Sequence, residues 1–142
     1  YYDDCDLVIK AAAVADYRSA APAKNKIKKD DDVLNLKLEK NPDILYGLGQ
    51  RKTHQVLIGF AAETTNVIEY GTAKLKKKHL DMLVANDVSA KGAGFQGTTN
   101  IGTLLYADGR VEKLEKMSKF ALAEIIVDRA AKIIAAKQEC NG

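Results

Sequence analysis

Three short apolar runs, the second and third of them preceded by helical patterns, constrain the fold more than any other feature of the sequence. They cover residues 6–14, 55–62 and 81–85. A nearly continuous apolar run of this length is typical of a strand that is covered on both faces within a parallel sheet. Strands that alternate with helices pack into layered α/β domains with right-handed crossovers. The sequence therefore predicts an α/β fold with a layered, mainly parallel sheet.

Helix signals lie between and after these runs. A short helix is predicted to begin at Asn41-Pro42, because asparagine is a favourable N-cap and proline fits the first helical position. A second helix is predicted from Thr65-Asn66 to about His79, and Ser118 is predicted to cap a long final helix. In that final helix, four apolar residues at spacings of four, four and three mark the face that packs on the sheet: Leu122, Ile126, Ala130 and Ile133.

Two further segments are predicted to form antiparallel β structure. Apolar and polar residues alternate before residue 40, and three consecutive aspartates at residues 30–32 are typical of a turn. This pattern predicts a β-hairpin flap at about residues 26–40. Residues 103–111 are predicted to form a C-terminal strand pair joined at Asp108-Gly109, whereas the glycine-rich residues 89–97 are predicted to form a loop.

The composition restricts the class of protein and of partner. At 142 residues, with 46% apolar and 29% charged residues, the chain has the size and balance of a single globular domain. No apolar run approaches the roughly 18 residues that span a bilayer, and the first residues lack the features of a signal peptide. A net charge of +3 with 6% aromatic residues does not indicate nucleic-acid binding. We therefore expect a cytoplasmic protein that binds an anionic small molecule, with no nucleic acid and no membrane among its partners.

The two cysteines indicate neither a metal site nor a disulfide framework. Cys5 and Cys140 lie near opposite ends of the chain and share no CxxC or Cys/His spacing. We interpret both as free thiols.

Polar or aromatic residues close each apolar run, at the point where ligands gather in open α/β sheets. Asp16 follows the first run, Phe60 and Glu63 close the second, and Asn86-Asp87 follow the third. Asp16 is either a turn carboxylate that caps free amides or an acceptor for a ribose hydroxyl or a base amino group. Phe60 is either a core residue or a side chain that packs against a base.

Lysines supply the positive charge that such a ligand needs. Lys26 opens the cluster KIKK, which comes eight residues after the end of the run AAAVADYR and fits a nucleoside triphosphate at a strand end. Lys74 and Lys78 are four residues apart, so they project from one face of the predicted helix. Their repulsion costs a few tenths of a kcal/mol, which either a solvated face tolerates or a bound polyphosphate reverses.

The usual phosphate-binding and nucleophile motifs do not occur in their functional context. GxxxxGK[ST] is absent, and the GxGxxG spacing of GAGFQG at residues 92–97 lies in a predicted loop before strands and not at a strand-to-helix turn, so phosphate binding must be assembled in another way. There is no GxSxG, and His54 and His79 are isolated from each other in the sequence. Catalysis by positioning and charge stabilisation therefore fits better than covalent catalysis by the protein.

Seven ordered segments resemble the phosphopantothenoylcysteine synthetase family, and together they cover essentially the whole chain. They are AAAVADYR from Ala11, KIKK from Lys26, LKLEKNPDIL from Leu36, GFAAET from Gly59, Lys74 with Lys78, VANDVS from Val84, and Gly94-Phe95 with Asn100.

The resemblance implies a Rossmann-like fold and a specific reaction. Members of this family join 4′-phosphopantothenate to L-cysteine through an acyl-cytidylate intermediate in coenzyme A biosynthesis. The bacterial enzymes use CTP with Mg²⁺, and the KIKK form looks like that group. In the family the hairpin also contributes to a dimer interface, so the resemblance implies a homodimer.

The resemblance also implies the site residues, and it assigns none of them to a metal. Ala11, Ala12 and Asp16 would contact the nucleotide, with Lys10 beside them. Lys74 and Lys78 would bind the same ligand, and Lys26 would be the catalytic clamp. Five residues would help to surround the nucleotide: Pro42, Asp43, Ile44, Leu45 and Phe60.

Two substitutions depart from the family pattern. Ser19 stands where the family usually has proline after ADYR, and Lys10 stands where a small neutral residue is more usual. Ser19 is expected to loosen the loop slightly, and Lys10 is expected to place a charge beside the nucleotide.

The resemblance covers the C-terminal part of the family fold. The N-terminal half of that fold, with its glycine-rich phosphate loop, is expected to precede Tyr1, as is the flavin-dependent decarboxylase domain that many bacteria fuse ahead of it. We therefore expect residues 1–142 to be one nucleotide-binding ligase domain, truncated at its N-terminus.

The alternative functions are a truncated, non-catalytic nucleotide-binding module and a nicotinamide oxidoreductase. No predicted strand-to-helix turn carries the dinucleotide fingerprint, which weighs against the oxidoreductase.

Overall fold

A computed structural model describes residues 1–23, 25–26, 34–63, 65–87 and 99–140 of the chain. The elements in chain order are β1 (Leu7–Lys10), β2 (Tyr17–Ser19), β3 (Leu38–Lys40), α1 (Ile44–Gln50), β4 (Val56–Glu63), α2 (Val67–Lys77), β5 (Met82–Asp87), β6 (Thr99–Asn100), β7 (Gly102–Tyr106), β8 (Val111–Lys113), β9 (Met117–Ser118) and α3 (Lys119–Cys140).

The main sheet within these residues has five strands in the order β1-β4-β5-β7-β8. Strands β1, β4 and β5 are parallel, β7 is antiparallel to β5, and β8 is antiparallel to β7. Four of the five strands therefore share one direction, which confirms the predicted layered and mainly parallel sheet. Two small antiparallel pairs, β2 with β3 and β6 with β9, lie outside it.

The sheet is the middle of three layers. One face packs on α3, and this core contains Val56, Ile58 and Met82 together with Leu122 and Ile126 of the helix. The other face packs on α1 and α2 through a second set of buried residues: Leu45, Leu57, Leu75, Leu83 and Leu105. Successive residues of β4 and β5 thus enter opposite cores, as side chains of a strand do. This explains why both strands read as continuous apolar runs.

Strand β1 corrects the prediction for the first apolar run. The strand covers Leu7–Lys10 instead of residues 6–14, and it lies at the edge of the described sheet. Its residues are only partly buried, and Ile9 is 37% exposed. The predicted bounds are therefore wrong, because residues 11–15 leave the sheet without joining any ladder. Leu7 and Val8 do pack against the two opposite cores, but the strand is covered only in part.

The start of α1 corrects the predicted helix cap. The N-cap is Asp43, whose Oδ1 accepts a hydrogen bond of 3.0 Å from the backbone N–H of Tyr46. Asn41 instead donates its backbone N–H to the carbonyl of Asp16 and its side-chain amide to the carbonyl of Ala15, over 2.8 Å and 2.7 Å. A long-range contact therefore uses the amide that the local pattern assigned to the helix.

The last part of the predicted hairpin pairs with a segment that the sequence did not indicate. Strand β3 pairs antiparallel with β2, so Leu38 lies opposite Ser19. Residues 34–37 have no regular secondary structure. The predicted turn at residues 30–32 and the predicted loop at residues 89–97 lie outside the described residues.

The other predicted elements agree with the structure within a few residues. The C-terminal strand pair is β7 with β8, and α2 runs two residues inside the predicted limits at each end. Ser118 caps α3, because its Oγ accepts a hydrogen bond of 3.1 Å from the N–H of Ala121.

Cys5 is a free thiol, as predicted, whereas the side chain of Cys140 lies outside the described residues. None of the described helices is long and apolar enough to cross a membrane.

A salt-bridge contact holds α3 against the strand pair. Both oxygens of Glu112 accept hydrogen bonds from the guanidinium of Arg129, and Oε2 also accepts one from the hydroxyl of Tyr106. Arg129 is the main reason that the pKa of Glu112 is lowered to about 2. The final helix is therefore fixed to β7 and β8 by a charge-assisted contact as well as by its apolar face.

The buried carboxylate of Asp81 joins the sheet to its surroundings. It is 7% exposed and accepts a hydrogen bond of 2.7 Å from the backbone N–H of Leu57. Its two oxygens also pair with Lys52 at 2.9 Å and with Lys137 of α3 at 2.7 Å. Its backbone carbonyl accepts a hydrogen bond from Ala107. One residue thus connects β4, β5, the end of β7 and α3.

Replacing Asp81 with asparagine should destabilise the fold by about 2–4 kcal/mol, because two ammonium groups lose a buried counter-ion. Urea unfolding followed by circular dichroism measures this change. Glu39→Gln is the control, since Glu39 forms an ion pair with Arg18 in which both side chains are exposed. Equal unfolding midpoints for the two variants would contradict the role given to Asp81.

Candidate functional site

A cavity of about 390 Å³ lies at the carboxyl ends of β1, β4 and β5. This is the edge at which open α/β sheets place their ligands. Larger cavities of about 520 and 630 Å³ occur elsewhere, but the residues predicted from the sequence meet at this one. Eight of the twelve predicted site residues line it: Lys10, Ala11, Ala12, Asp16, Leu45, Phe60, Lys74 and Lys78.

The other four predicted residues do not line the cavity. Pro42, Asp43 and Ile44 lie at the start of α1, beside Leu45, which does line it. Lys26 is exposed and contributes nothing to the cavity wall. The remainder of its KIKK cluster lies outside the described residues.

Three ammonium groups and one carboxylate surround the cavity among the described residues. Lys10 comes from the end of β1, Lys74 from α2 and Lys78 from the C-cap of α2, and Asp16 follows the loop after β1. The helical spacing of Lys74 and Lys78 does place both side chains on the cavity side. The balance of charge favours an anionic ligand.

Lys78 is held by the cap of α1. Its Nζ lies 2.9 Å from Oδ2 of Asp43, and its side chain is 26% exposed. Burial acts to raise the pKa of Asp43, but hydrogen bonds from Lys78 and from the backbone of Tyr46 outweigh it and lower the pKa below its ordinary value. The capping carboxylate therefore stays ionised and orients an ammonium group at the cavity.

The loop after β1 forms one wall of the cavity without any ladder hydrogen bonds of its own. Lys10 donates from Nζ to the carbonyl of Ala12 over 3.0 Å, so it braces the loop as well as lining the cavity. At the far end of the loop, Asn41 holds the carbonyls of Ala15 and Asp16. The position of Asp16 is thus set by a residue from outside the loop that carries it.

Phe60 is a core residue that also lies at the cavity. It is partly buried, packs against the core on the α3 side of the sheet and lines the cavity wall. Its contact with a base stays a prediction.

Asn86 and Asn41 are the polar residues that sequence reasoning did not assign to the site. Asn86 lines the cavity next to Ala62, its partner across β4 and β5. The sequence signal that could have identified Asn86 as a site residue is its position at the end of an apolar run, where a strand was predicted to end. Asn41 was interpreted as a helix cap, and no local pattern distinguishes a cap from a long-range tether.

The described residues contain no group of three side chains that could hold a metal ion. Among the described residues that line the cavity, Asp16 is the one with a carboxylate. A cation at this site would therefore need most of its ligands from a bound molecule or from water, which is the usual arrangement for Mg²⁺ with phosphates.

Residues 1–134 match the family of DNA/pantothenate metabolism flavoprotein C-terminal domains. Coenzyme A biosynthesis bifunctional protein CoaBC of Bacillus subtilis (strain 168) is 47% identical over 131 residues, which are 92% of this chain and 32% of that protein. The crystal structure of the C-terminal domain of a CoaBC protein aligns with a TM-score of 0.75 at 40% identity, over 95% of this chain and 58% of that chain. The chain thus spans about a third of the length of this curated relative.

A more distant structure shares the fold alone. Mutant Cab2 in complex with phosphopantothenate-cysteine aligns with a TM-score of 0.51 at 16% identity, over 75% of this chain and 34% of that chain.

Replacing Gly49 with alanine should disturb both the fold and the position of Lys78. A Cβ at Gly49 would lie 1.9 Å from the backbone oxygen of Lys78, so α1 and the end of α2 would have to separate, at a cost of about 1–3 kcal/mol. Urea unfolding measures the loss. Gly47→Ala in the same helix is the control, because a Cβ there meets no atom within 4 Å, and we expect it to be neutral or stabilising by up to about 1 kcal/mol.

Proposed function

Because the chain belongs to the family of DNA/pantothenate metabolism flavoprotein C-terminal domains, we propose that it is the CTP-binding part of a phosphopantothenate–cysteine ligase in coenzyme A biosynthesis. The observation that carries this proposal is the cavity at the strand ends, where Lys10, Lys74 and Lys78 surround the place that a nucleotide would occupy. Its relatives support the pathway, since the Bacillus subtilis protein is a coenzyme A biosynthesis protein. The product named by this proposal, phosphopantothenate-cysteine, is the molecule bound in the Cab2 complex, which shares the fold.

CTP would lie across the ends of β1 and β4. Its triphosphate would meet the ammonium groups of Lys74 and Lys78, whose mutual repulsion a bound polyanion relieves. Asp16 would accept hydrogen bonds from a ribose hydroxyl or the base amino group. The partly buried ring of Phe60 would offer its free surface to the base.

The proposed reaction has two steps. A carboxylate oxygen of 4′-phosphopantothenate attacks the α-phosphorus of CTP, the bond to the bridging oxygen breaks, and pyrophosphate leaves. The amine of L-cysteine then attacks the acyl carbon of the acyl-cytidylate, which forms the amide and releases CMP and a proton. The protein supplies positioning and positive charge, since no serine, threonine, cysteine or histidine lines the described part of the cavity.

Lys26 would act in the first step. Negative charge collects on the pyrophosphate leaving group, and an ammonium group that approaches it would stabilise the transition state. Lys26 lies outside the described cavity wall, so this role requires the segment from β2 to β3 to bring it to the nucleotide.

Mg²⁺ would enter with the phosphates of CTP, in keeping with the absence of a three-residue metal cluster from the described residues. When bound, it neutralises part of the phosphate charge.

We further propose that the functional protein is a cytoplasmic homodimer, and that a decarboxylase domain precedes the ligase.

A second function is favoured by one observation. The chain covers 58% of the solved CoaBC C-terminal domain, so the rest of that domain supplies groups that residues 1–142 do not. A non-catalytic nucleotide-binding module would then bind CTP and release no pyrophosphate. Assays of residues 1–142 alone and of a protein with the full length of its CoaBC relatives separate the two functions.

Replacing Lys78 with glutamine should raise the Kd for CTP about 10- to 100-fold, because a charge-assisted contact to phosphate is lost. Isothermal titration calorimetry measures the affinity. Lys77→Gln is the matched control, since Lys77 is exposed on the same helix and does not line the cavity. If the two variants bind CTP equally, the phosphates do not lie where we propose.

Replacing Lys26 with glutamine should lower kcat by about 10²- to 10³-fold if the ammonium group stabilises the leaving pyrophosphate. The Kd for CTP should change much less. Pyrophosphate release in the presence of 4′-phosphopantothenate, measured in a protein of full CoaBC length, tests this. Unchanged turnover in the variant would remove Lys26 from the mechanism.

A further inference from the structure

The wall of the cavity that carries Asp16 depends on contacts from elsewhere in the chain. Residues 11–15 form no regular secondary structure, and Ala11, Ala12 and Ala13 are exposed, so little apolar burial fixes this loop. Such a segment has many accessible conformations, and a ligand that needs one of them has to offset the entropy of ordering it. A contact that already orders the loop would therefore improve binding.

Asn41 makes two such contacts. Its backbone N–H donates to the carbonyl of Asp16 over 2.8 Å, which continues the β2–β3 pairing by one residue beyond Tyr17 and Lys40. Its side-chain Nδ2 donates to the carbonyl of Ala15 over 2.7 Å. One residue thus holds both carbonyl groups of the Ala15–Asp16 pair.

The backbone of Asn41 is itself restrained. Pro42 follows it and disfavours the helical conformation at residue 41, so the chain stays extended up to the cap of α1. The next residue, Asp43, caps α1 and pairs with Lys78. Asn41 therefore joins the segment that carries Asp16 to the segment that orients Lys78, on two sides of one cavity.

We propose that Asn41 is a positioning residue for nucleotide binding, which acts by holding Asp16 at the cavity. This inference rests on the proposed function of the cavity. Its chemistry is specific to an amide, because a carbonyl oxygen needs a donor opposite it. An aspartate of the same shape at residue 41 would place a carboxylate against the carbonyl of Ala15 and repel it.

The test compares two ligands in a protein of full CoaBC length. CTP would use both Asp16 and the lysines, whereas inorganic tripolyphosphate would use the lysines alone. Asn41→Ala should raise the Kd for CTP about 3- to 10-fold, the factor expected for one hydrogen bond, and should leave the Kd for tripolyphosphate within about twofold. Asn41→Asp should weaken CTP binding further. Gln138→Ala, which removes an exposed amide at the end of α3, is the control and should change neither constant.

Kinetics and a double mutant complete the test. For Asn41→Ala, KM for CTP should rise while kcat stays within about twofold, since a positioning contact for the nucleotide is not made to the reacting atoms. In an Asp16→Ala background, Asn41→Ala should cause no additional loss of CTP affinity, because it acts through Asp16.

Three outcomes would overturn the role of Asn41 while leaving the proposed function intact. These are unchanged CTP affinity in Asn41→Ala, an equal loss of affinity for CTP and tripolyphosphate, and a full additional loss in the Asp16→Ala background. Wild-type protein that binds neither ligand would instead contradict the proposed function, and this inference with it.

Discussion

The carboxylate of Asp81 is buried at the amino end of β5, and the arrangement of the layers depends on it. It accepts the backbone N–H of Leu57 and pairs with Lys52 and Lys137, which come from opposite sides of the sheet. A buried carboxylate without partners is costly, so the fold must bring all three donors to it. A shift of one residue between β4 and β5 would remove the donor of Leu57. This contact therefore favours the observed register, in which Ile58 lies opposite Met82.

The two edges of the sheet differ because their charges are used differently. At the amino ends of β4 and β5, the ammonium groups of Lys52 and Lys137 meet the buried carboxylate of Asp81 and stabilise the fold. At the carboxyl ends, Lys74 and Lys78 line a cavity in which Asp16 is the described carboxylate. The lysines of the first edge pair with a carboxylate inside the protein. Those of the second edge line a cavity, where open α/β sheets place their ligands, although Lys78 also pairs with Asp43.

The buried strands could be predicted from the sequence, whereas the loops around the cavity could not. Strands β4 and β5 are covered on both faces, so their apolar runs reflect burial directly. The loop after β1 is equally apolar but exposed, because alanines carry too little surface to require burial. Asn41 satisfied every local rule for a cap, yet its side-chain amide donates to the carbonyl of Ala15, 26 residues earlier in the chain. The site residues were predicted by family resemblance, and eight of them meet at one cavity, while the role of Lys26 stays a prediction.

The pairing of Lys78 with Asp43 bears on how the cavity would receive a triphosphate. Two ammonium groups four residues apart repel each other, and Asp43 offsets that repulsion in the unliganded protein. Because the same carboxylate caps α1, it cannot follow Lys78 without losing the N–H of Tyr46. A phosphate would therefore share Lys78 with Asp43 instead of displacing it, since an ammonium group has three donors. The lysine would then need little reorganisation on binding, and an oriented cation of this kind is what transition-state stabilisation requires.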